Sequence, residues 1–165
     1  MDVLDKEILL FWNFLNKYNV RYIMVGGVAS SLYGYPDTLD SIDIWIEDTV
    51  ENRRNLRLAF KEYGMGDFSM MEKMQLVPGW TNFNLNNGLR LHVMGNIKGL
   101  EDFSFDECLQ LASIAEIYDV KVPFLHINHL IAAKKAANRP KDQIDVIYLE
   151  KIKKLKEALD NESNP

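Results

Sequence analysis

The hydrophobic positions of this chain change period several times, and each change marks a new element. Leu4, Ile8, Phe11, Trp12 and Leu15 recur at helical spacing and predict an amphipathic helix over 3–18. Residues 20–25 form a short β-branched and aromatic run, the pattern of a buried strand. The run breaks at Gly26-Gly27. Residues 28–33 then suit a short helix closed by Gly34, and Tyr35-Pro36-Asp37 is loop chemistry. Over 41–46 the period becomes two, with Ser41, Asp43 and Trp45 on one face and Ile42, Ile44 and Ile46 on the other. Asp48 with Glu51 three residues later predicts an N-terminal capping box. A helical stripe of Leu56, Ala59, Phe60 and Tyr63 follows and stops at Gly64.

Residues 65–81 place Met70, Met71 and Met74 among polar neighbours and show no clear period. The runs 83–85 and 89–94, joined by Asn86-Asn87-Gly88, predict a hairpin with a short turn. A short helix over 103–108 precedes a smaller hairpin of 115–118 and 121–124 around Asp119. Leu125, Leu130, Ile131 and Ala133 belong to one helix, which ends near Arg139 because Pro140 follows. A second helix over 141–159 carries Ile144, Ile147, Tyr148, Ile152 and Leu155 on one face. This order predicts an α/β (α+β) domain: one mixed sheet flanked by helices, with a C-terminal helical pair. The core spans 1–124, the C-terminal helices of 125–160 pack on the same domain, and 161–165 is a frayed tail.

Composition narrows the class without naming a function. The 165 residues suffice for one domain with a proper core, and 47% hydrophobic with 26% charged residues is ordinary for a globular protein. No apolar run approaches the ~20 residues of a membrane span, and the acidic, amphipathic N-terminus is unlike a signal peptide. The single cysteine, Cys108, excludes an intrachain disulfide and reads as a small core residue. The default compartment is the cytoplasm. Net charge is −5, split unevenly: from Lys121 onward nine Lys and Arg face six Asp and Glu, whereas residues 1–120 carry ten against eighteen. An acidic body does not attract nucleic acid in bulk. The basic tail suits a solvated helix face, a phosphate or an acidic protein partner.

The chemistry concentrates between Val25 and Ile46. A glycine pair entering a helix lets backbone N–H groups approach a phosphate closely, although alone such a pair is more often a tight turn. A strand bearing one carboxylate, Asp43, follows at a suitable distance. Val25-Gly26-Gly27-Val28-Ala29, Gly34-Tyr35-Pro36 and Ile42-Asp43-Ile44-Trp45-Ile46 together resemble small bacterial proteins of the nucleotidyltransferase superfamily. The tail extends the resemblance through His129-Leu130-Ile131, Lys134-Lys135 and Arg139-Pro140-Lys141-Asp142.

The resemblance implies a fold in which Gly26, Gly27 and Ser30 lie against an NTP, helped by Lys134 and Arg139. It also implies carboxylates that hold Mg2+ and activate an attacking hydroxyl. The family's motif Thr-x-Asp-Ile-Asp-Ile falls on Leu39 to Ile44, so Ser41 occupies the first aspartate position and Asp43 the second. The third carboxylate falls on His92 of Leu91-His92-Val93-Met94. Two of three metal carboxylates are thus replaced, and Asp43 is the residual metal ligand.

Strand parity sends Asp40 to the opposite face, and Asp37 lies further out in the loop. An Asp43/His92 pair offers a transition metal only two ligands, and the simpler reading is a histidine hydrogen-bonded to Asp43 or Ser41. His126 and His129, three apart at a helix start, read as capping or core histidines. Lys134, Lys135, Arg139 and Lys141 gather where one helix ends and the next begins, with Asp142 and Asp145 placed to ion-pair with them. Three functions follow from the resemblance. The first is a degenerate nucleotidyltransferase-like protein, with little or no catalysis, that retains nucleotide binding. The others are an active metal-dependent enzyme moving NMP from an NTP to a hydroxyl, and the partner-binding component of a toxin–antitoxin or defence pair.

Overall fold

The computed structural model describes residues 5–35, 39–76 and 81–163. Asp5 caps the first helix, α1 (Lys6–Lys17), by accepting the Glu7 N–H, and Ile8, Phe11, Trp12 and Leu15 are its buried stripe. Leu4, Pro36 and Asp37 lie outside the described residues. The strand β1 (Tyr22–Val25) runs directly into α2 (Gly26–Leu32), so the helix starts at Gly26 and not at Val28. After β2 (Ser41–Ile46) comes α3 (Val50–Tyr63). Its N-cap is Thr49, whose hydroxyl accepts the Asn52 N–H at 3.2 Å, and not the expected Asp48. Asp48 instead bonds the buried guanidinium of Arg53, which a solvated capping carboxylate would leave unpaired.

A 3-10 turn (Ser69–Glu72) lies in the segment without a period, and the strands β3 (Asn82–Asn84) and β4 (Arg90–Met94) form the expected hairpin. The helix α4 (Phe105–Leu111), the second hairpin of β5 (Ser113–Ile117) and β6 (Val120–Phe124), and the helices α5 (Ile127–Ala137) and α6 (Pro140–Ser163) complete the chain. The six strands form one mixed sheet in the order β3-β4-β2-β1-β6-β5. Among the described residues no helix is long and apolar enough to cross a membrane.

Residues opposite one another on neighbouring strands share a face of the sheet. Ile42 pairs Leu91 and Leu91 pairs Phe83, while Met24 pairs Ile44, so these side chains lie together. The aromatic rings of α1 and α3 cover this face: Phe11 sits 6.0 Å from Phe60, and Phe60 sits 4.9 Å from Phe83. Trp12 adds an Nε1–H bond of 3.2 Å to the Met24 sulfur. The opposite face carries Ser41, Asp43 and Trp45. Phe105 of α4 meets Trp45 edge-on at 5.2 Å, and α2 and α5 pack beside it. Cys108 is fully buried, as a core cysteine should be.

The second C-terminal helix departs from the expected packing. Its periodicity is right, but most of the expected apolar face looks outward: Ile144, Ile147, Tyr148 and Leu155 are 54, 56, 49 and 66% exposed, while Ile152 packs half-buried against the core. Asp142, Asp145 and Leu149 are buried in their place. The reason is electrostatic. The Lys134 ammonium of α5 lies 2.8 Å from Asp145 and 4.0 Å from Asp142, which turns the acidic side of α6 against α5.

At the start of α5, His126 is the N-cap, its Nδ1 accepting the Asn128 N–H at 3.1 Å. His129 is buried against Phe103, with ring centres 4.8 Å apart. Burial pushes both imidazoles below their ordinary pKa, with the repulsion of neighbouring groups adding to the effect at His126. A depressed pKa means that the unfolded chain binds more protons, so stability is full above the ordinary value of about 6.5 and falls as pH drops through the folded values. Thermal melts should therefore lose several degrees between about pH 7.5 and about pH 5.5. His126→Asn, a cap that does not titrate there, should flatten that slope; an unchanged slope would exclude His126 as a source.

Candidate functional site

Asp43 is the centre of the site because three elements converge on its carboxylate. Strand pairing sets Asp43 opposite His92 on β4 and opposite Val25 on β1. The Ser41 hydroxyl donates to Asp43 Oδ1 at 3.0 Å, as two-residue parity on one strand allows. His92 Nδ1 lies 2.9 Å from the same oxygen. An ionised carboxylate only accepts, so Nδ1 carries the proton and Nε2 is the ring's other nitrogen, on a side chain that is 36% exposed. The second oxygen, Oδ2, lies against Gly26. A Cβ built on Gly26 would stand 2.3 Å from Oδ2, and the backbone there has φ +66°. The glycine does permit a close approach, and the group that approaches is the protein's own carboxylate.

A cleft of about 260 Å³ opens over this point. Val25, Gly26, Asp43 and Met94 form its floor, Asn96 to Lys98 one wall, and Leu130, Lys134, Arg139 and Asp142 of the α5–α6 junction the other. Of the residues singled out in the sequence, Gly26, Asp43, Lys134 and Arg139 therefore meet at one cleft. Gly27 does not line it, and Ser41 and His92 touch it only through Asp43. Ser30 does not line the cleft: it is fully buried and its hydroxyl donates to the Gly26 carbonyl at 3.3 Å, within its own helix.

The cations of the cleft differ in freedom. Lys134 is committed to Asp145 and, at 4.0 Å, to Asp142. Asp142 accepts both the side chain and the backbone N–H of Arg139, an arrangement that also ties down the start of α6. That guanidinium holds the Asp142 carboxyl below the usual range, and Asp142, with smaller help from Asp145 and Asp43, raises Arg139. The Arg139 side chain is nevertheless 72% exposed, so its outer edge faces solvent.

Lys98 is the cleft residue that the sequence reading missed. The loop that carries it is pinned by Gly99, where a Cβ would stand 2.8 Å from the Ala132 carbonyl oxygen of α5. A glycine-flanked lysine just past the carboxyl end of a strand paired in parallel was the available signal. A second cavity of about 320 Å³ lies between α3 and the β3–β4 hairpin, lined by Leu56, Phe68, Met71 and Phe83 among others. It holds no titratable group among its described lining residues.

No family model matches the sequence, and no curated protein matches it significantly. Solved structures do. A candidate nucleotidyltransferase from Thermotoga maritima superposes over 92% of this chain and 89% of its own, with a TM-score of 0.54 at 18% identity. The fold is nucleotidyltransferase-like. An antigenic nucleotidyltransferase-like protein from Paracoccidioides brasiliensis gives the same TM-score of 0.54 at 17% identity, covering 88% of this chain and 74% of that one.

Proposed function

We propose that this nucleotidyltransferase-fold protein binds an NTP in the cleft and no longer performs metal-dependent nucleotidyl transfer. The observation that carries this reading is the state of Asp43: Oδ1 accepts from both Ser41 and His92, and Oδ2 is packed on Gly26. Magnesium requires several oxygen ligands in near-octahedral geometry. One carboxylate, a hydroxyl and an imidazole do not fit it, and His92 brings a hard cation no compensating charge. Asp40, exposed and one residue before β2, does not join the set. The cleft keeps what binding needs. Lys98 and the outer edge of Arg139 supply positive charge, and Val25, Leu125 and Leu130 supply an apolar wall.

Calorimetric titration with ATP and Mg2+, paired with an assay for pyrophosphate release, tests both halves. The expected result is saturable binding without turnover, weakened roughly tenfold in Lys98→Ala by loss of one charge-assisted contact. Magnesium-dependent pyrophosphate release that disappears in Asp43→Ala would overturn the loss of catalysis. Absence of ATP binding would overturn the retained ligand.

A further inference from the structure

We infer that the cleft takes its nucleotide without a divalent cation and grips a single phosphate between Lys98 and the outer edge of Arg139. The inference rests on the nucleotide binding proposed above and adds how the ligand is held. The resemblance drawn from the sequence implies phosphates on the glycine turn and a metal on the carboxylates, and this chain closes both places. Asp43 Oδ2 covers Gly26, Gly27 does not line the cleft, and the Ser30 hydroxyl is bonded to the Gly26 carbonyl. Asp43 Oδ1 is taken by Ser41 and His92. Among the described residues no group of three or more His, Cys, Asp or Glu side chains could hold a metal ion.

The charges of the cleft decide where a phosphate can go. Lys98, Lys134 and Arg139 share its lining with Asp43 and Asp142, and Asp145 stands behind Lys134. Three positive charges thus meet three negative ones, and a triphosphate finds no net field to draw it in. Two of the cations are already answered. Lys134 is 11% exposed and bonded to Asp145 at 2.8 Å. Arg139 donates from Nε to one oxygen of Asp142 at 2.7 Å and from Nη2 to the other at 3.2 Å, which leaves Nη1 at its outer edge. Lys98 makes no hydrogen bond or ion pair among the described residues. Glu101 feels its charge but turns its carboxylate to the Gly99 N–H at 2.8 Å. One ammonium on one wall and one guanidinium edge on the other suit one phosphate, with the apolar side chains of Leu125 and Leu130 beside it. Further phosphates would run toward Asp43, whose carboxylate repels them, or out into solvent. A cation on those phosphates would meet no protein oxygen free to bind it. A nucleoside monophosphate therefore gains as much from this cleft as a triphosphate does.

Calorimetric titration of the full chain with AMP and with ATP, each in excess EDTA and in excess Mg2+, tests the inference. In EDTA the two should bind within about threefold of each other, and Mg2+ should change neither by more than about twofold. Lys98→Ala should weaken both by the same factor, roughly tenfold, because both use the same phosphate contact. Asp43→Asn removes the charge and keeps an oxygen for the Ser41 hydroxyl, so it should tighten ATP in EDTA about threefold at an unchanged melting temperature. Three results would each overturn the inference while leaving nucleotide binding in place. They are Mg2+ tightening ATP roughly tenfold or more, ATP binding over about tenfold tighter than AMP, and loss of ATP binding in an Asp43→Asn protein that melts normally. Binding of neither nucleotide in either buffer would overturn the nucleotide cleft itself, and this inference with it.

Discussion

Gly26→Ala should destabilise the protein by about 2–4 kcal/mol, although it adds a single methyl group. Two costs act at once. The backbone at Gly26 has φ +66°, in the left-handed region that an alanine occupies only with strain. The added Cβ would also stand 2.3 Å from Asp43 Oδ2 and 3.2 Å from Asp43 Cγ. Asp43 cannot simply swing away, because Oδ1 is held by Ser41 and His92 and its Cα is fixed by pairing with Val25 and His92. Removing the carboxylate relieves only the second cost. In the Asp43→Ala background, Gly26→Ala should therefore cost about 1–2 kcal/mol, leaving a coupling of the same order. Urea unfolding of the four proteins closes the cycle. Additivity to within about 0.3 kcal/mol would show that the glycine and the carboxylate do not press on each other.

Asp145→Ala should cost about 3–5 kcal/mol, the range for removing one member of a buried ion pair. Asp145 is completely buried, accepting from the Lys134 ammonium at 2.8 Å and from the Tyr35 hydroxyl at 2.7 Å. The Lys134 side chain is itself only 11% exposed. Without Asp145 the ammonium keeps, among the described residues, only Asp142, 4.0 Å away and already engaged by Arg139. The double variant Lys134→Met/Asp145→Leu exchanges the ions for apolar groups of similar size, and it should recover most of the loss because neither charge is then left unpaired. Chemical denaturation distinguishes the cases. A double variant no more stable than Asp145→Ala would mean that packing around α6, and not charge pairing, sets the cost.

The framework was legible because local patterns here agree with tertiary ones. The period of two over 41–46 placed Ser41 and Asp43 on one face, and the pairing of Asp43 with His92 brought the third residue to the same oxygen. The stripes of α1 and α3 and both hairpins follow the same logic, since in each the apolar period of the chain matches the face that is buried. The misses came where a polar group four or five residues away claimed the side chain instead of the role its residue type suggested. Asp48 looked like a cap until Arg53 claimed it, and Thr49 capped the helix. Ser30 looked free to meet a phosphate, but its hydroxyl turned back onto the Gly26 carbonyl.

What the sequence determined by itself was the period of each element and hence the sheet, its flanking helices and the face that carries Asp43. Periodicity is a property of neighbouring residues, so it can be read without knowing where the chain goes. Which side of α6 faces inward, and which cations share the cleft with Asp43, was decided only by the tertiary structure. The apolar side of α6 lost that competition because the nearly buried ammonium of Lys134 on α5 would be left unpaired without Asp145 and Asp142. Lys98 reaches the cleft because Gly99 lets its loop lie against α5. The ion pairs of α6 were within reach of the sequence but their precedence over the apolar side was not, and the meeting of Gly99 with Ala132 joins segments far apart, which no local pattern records.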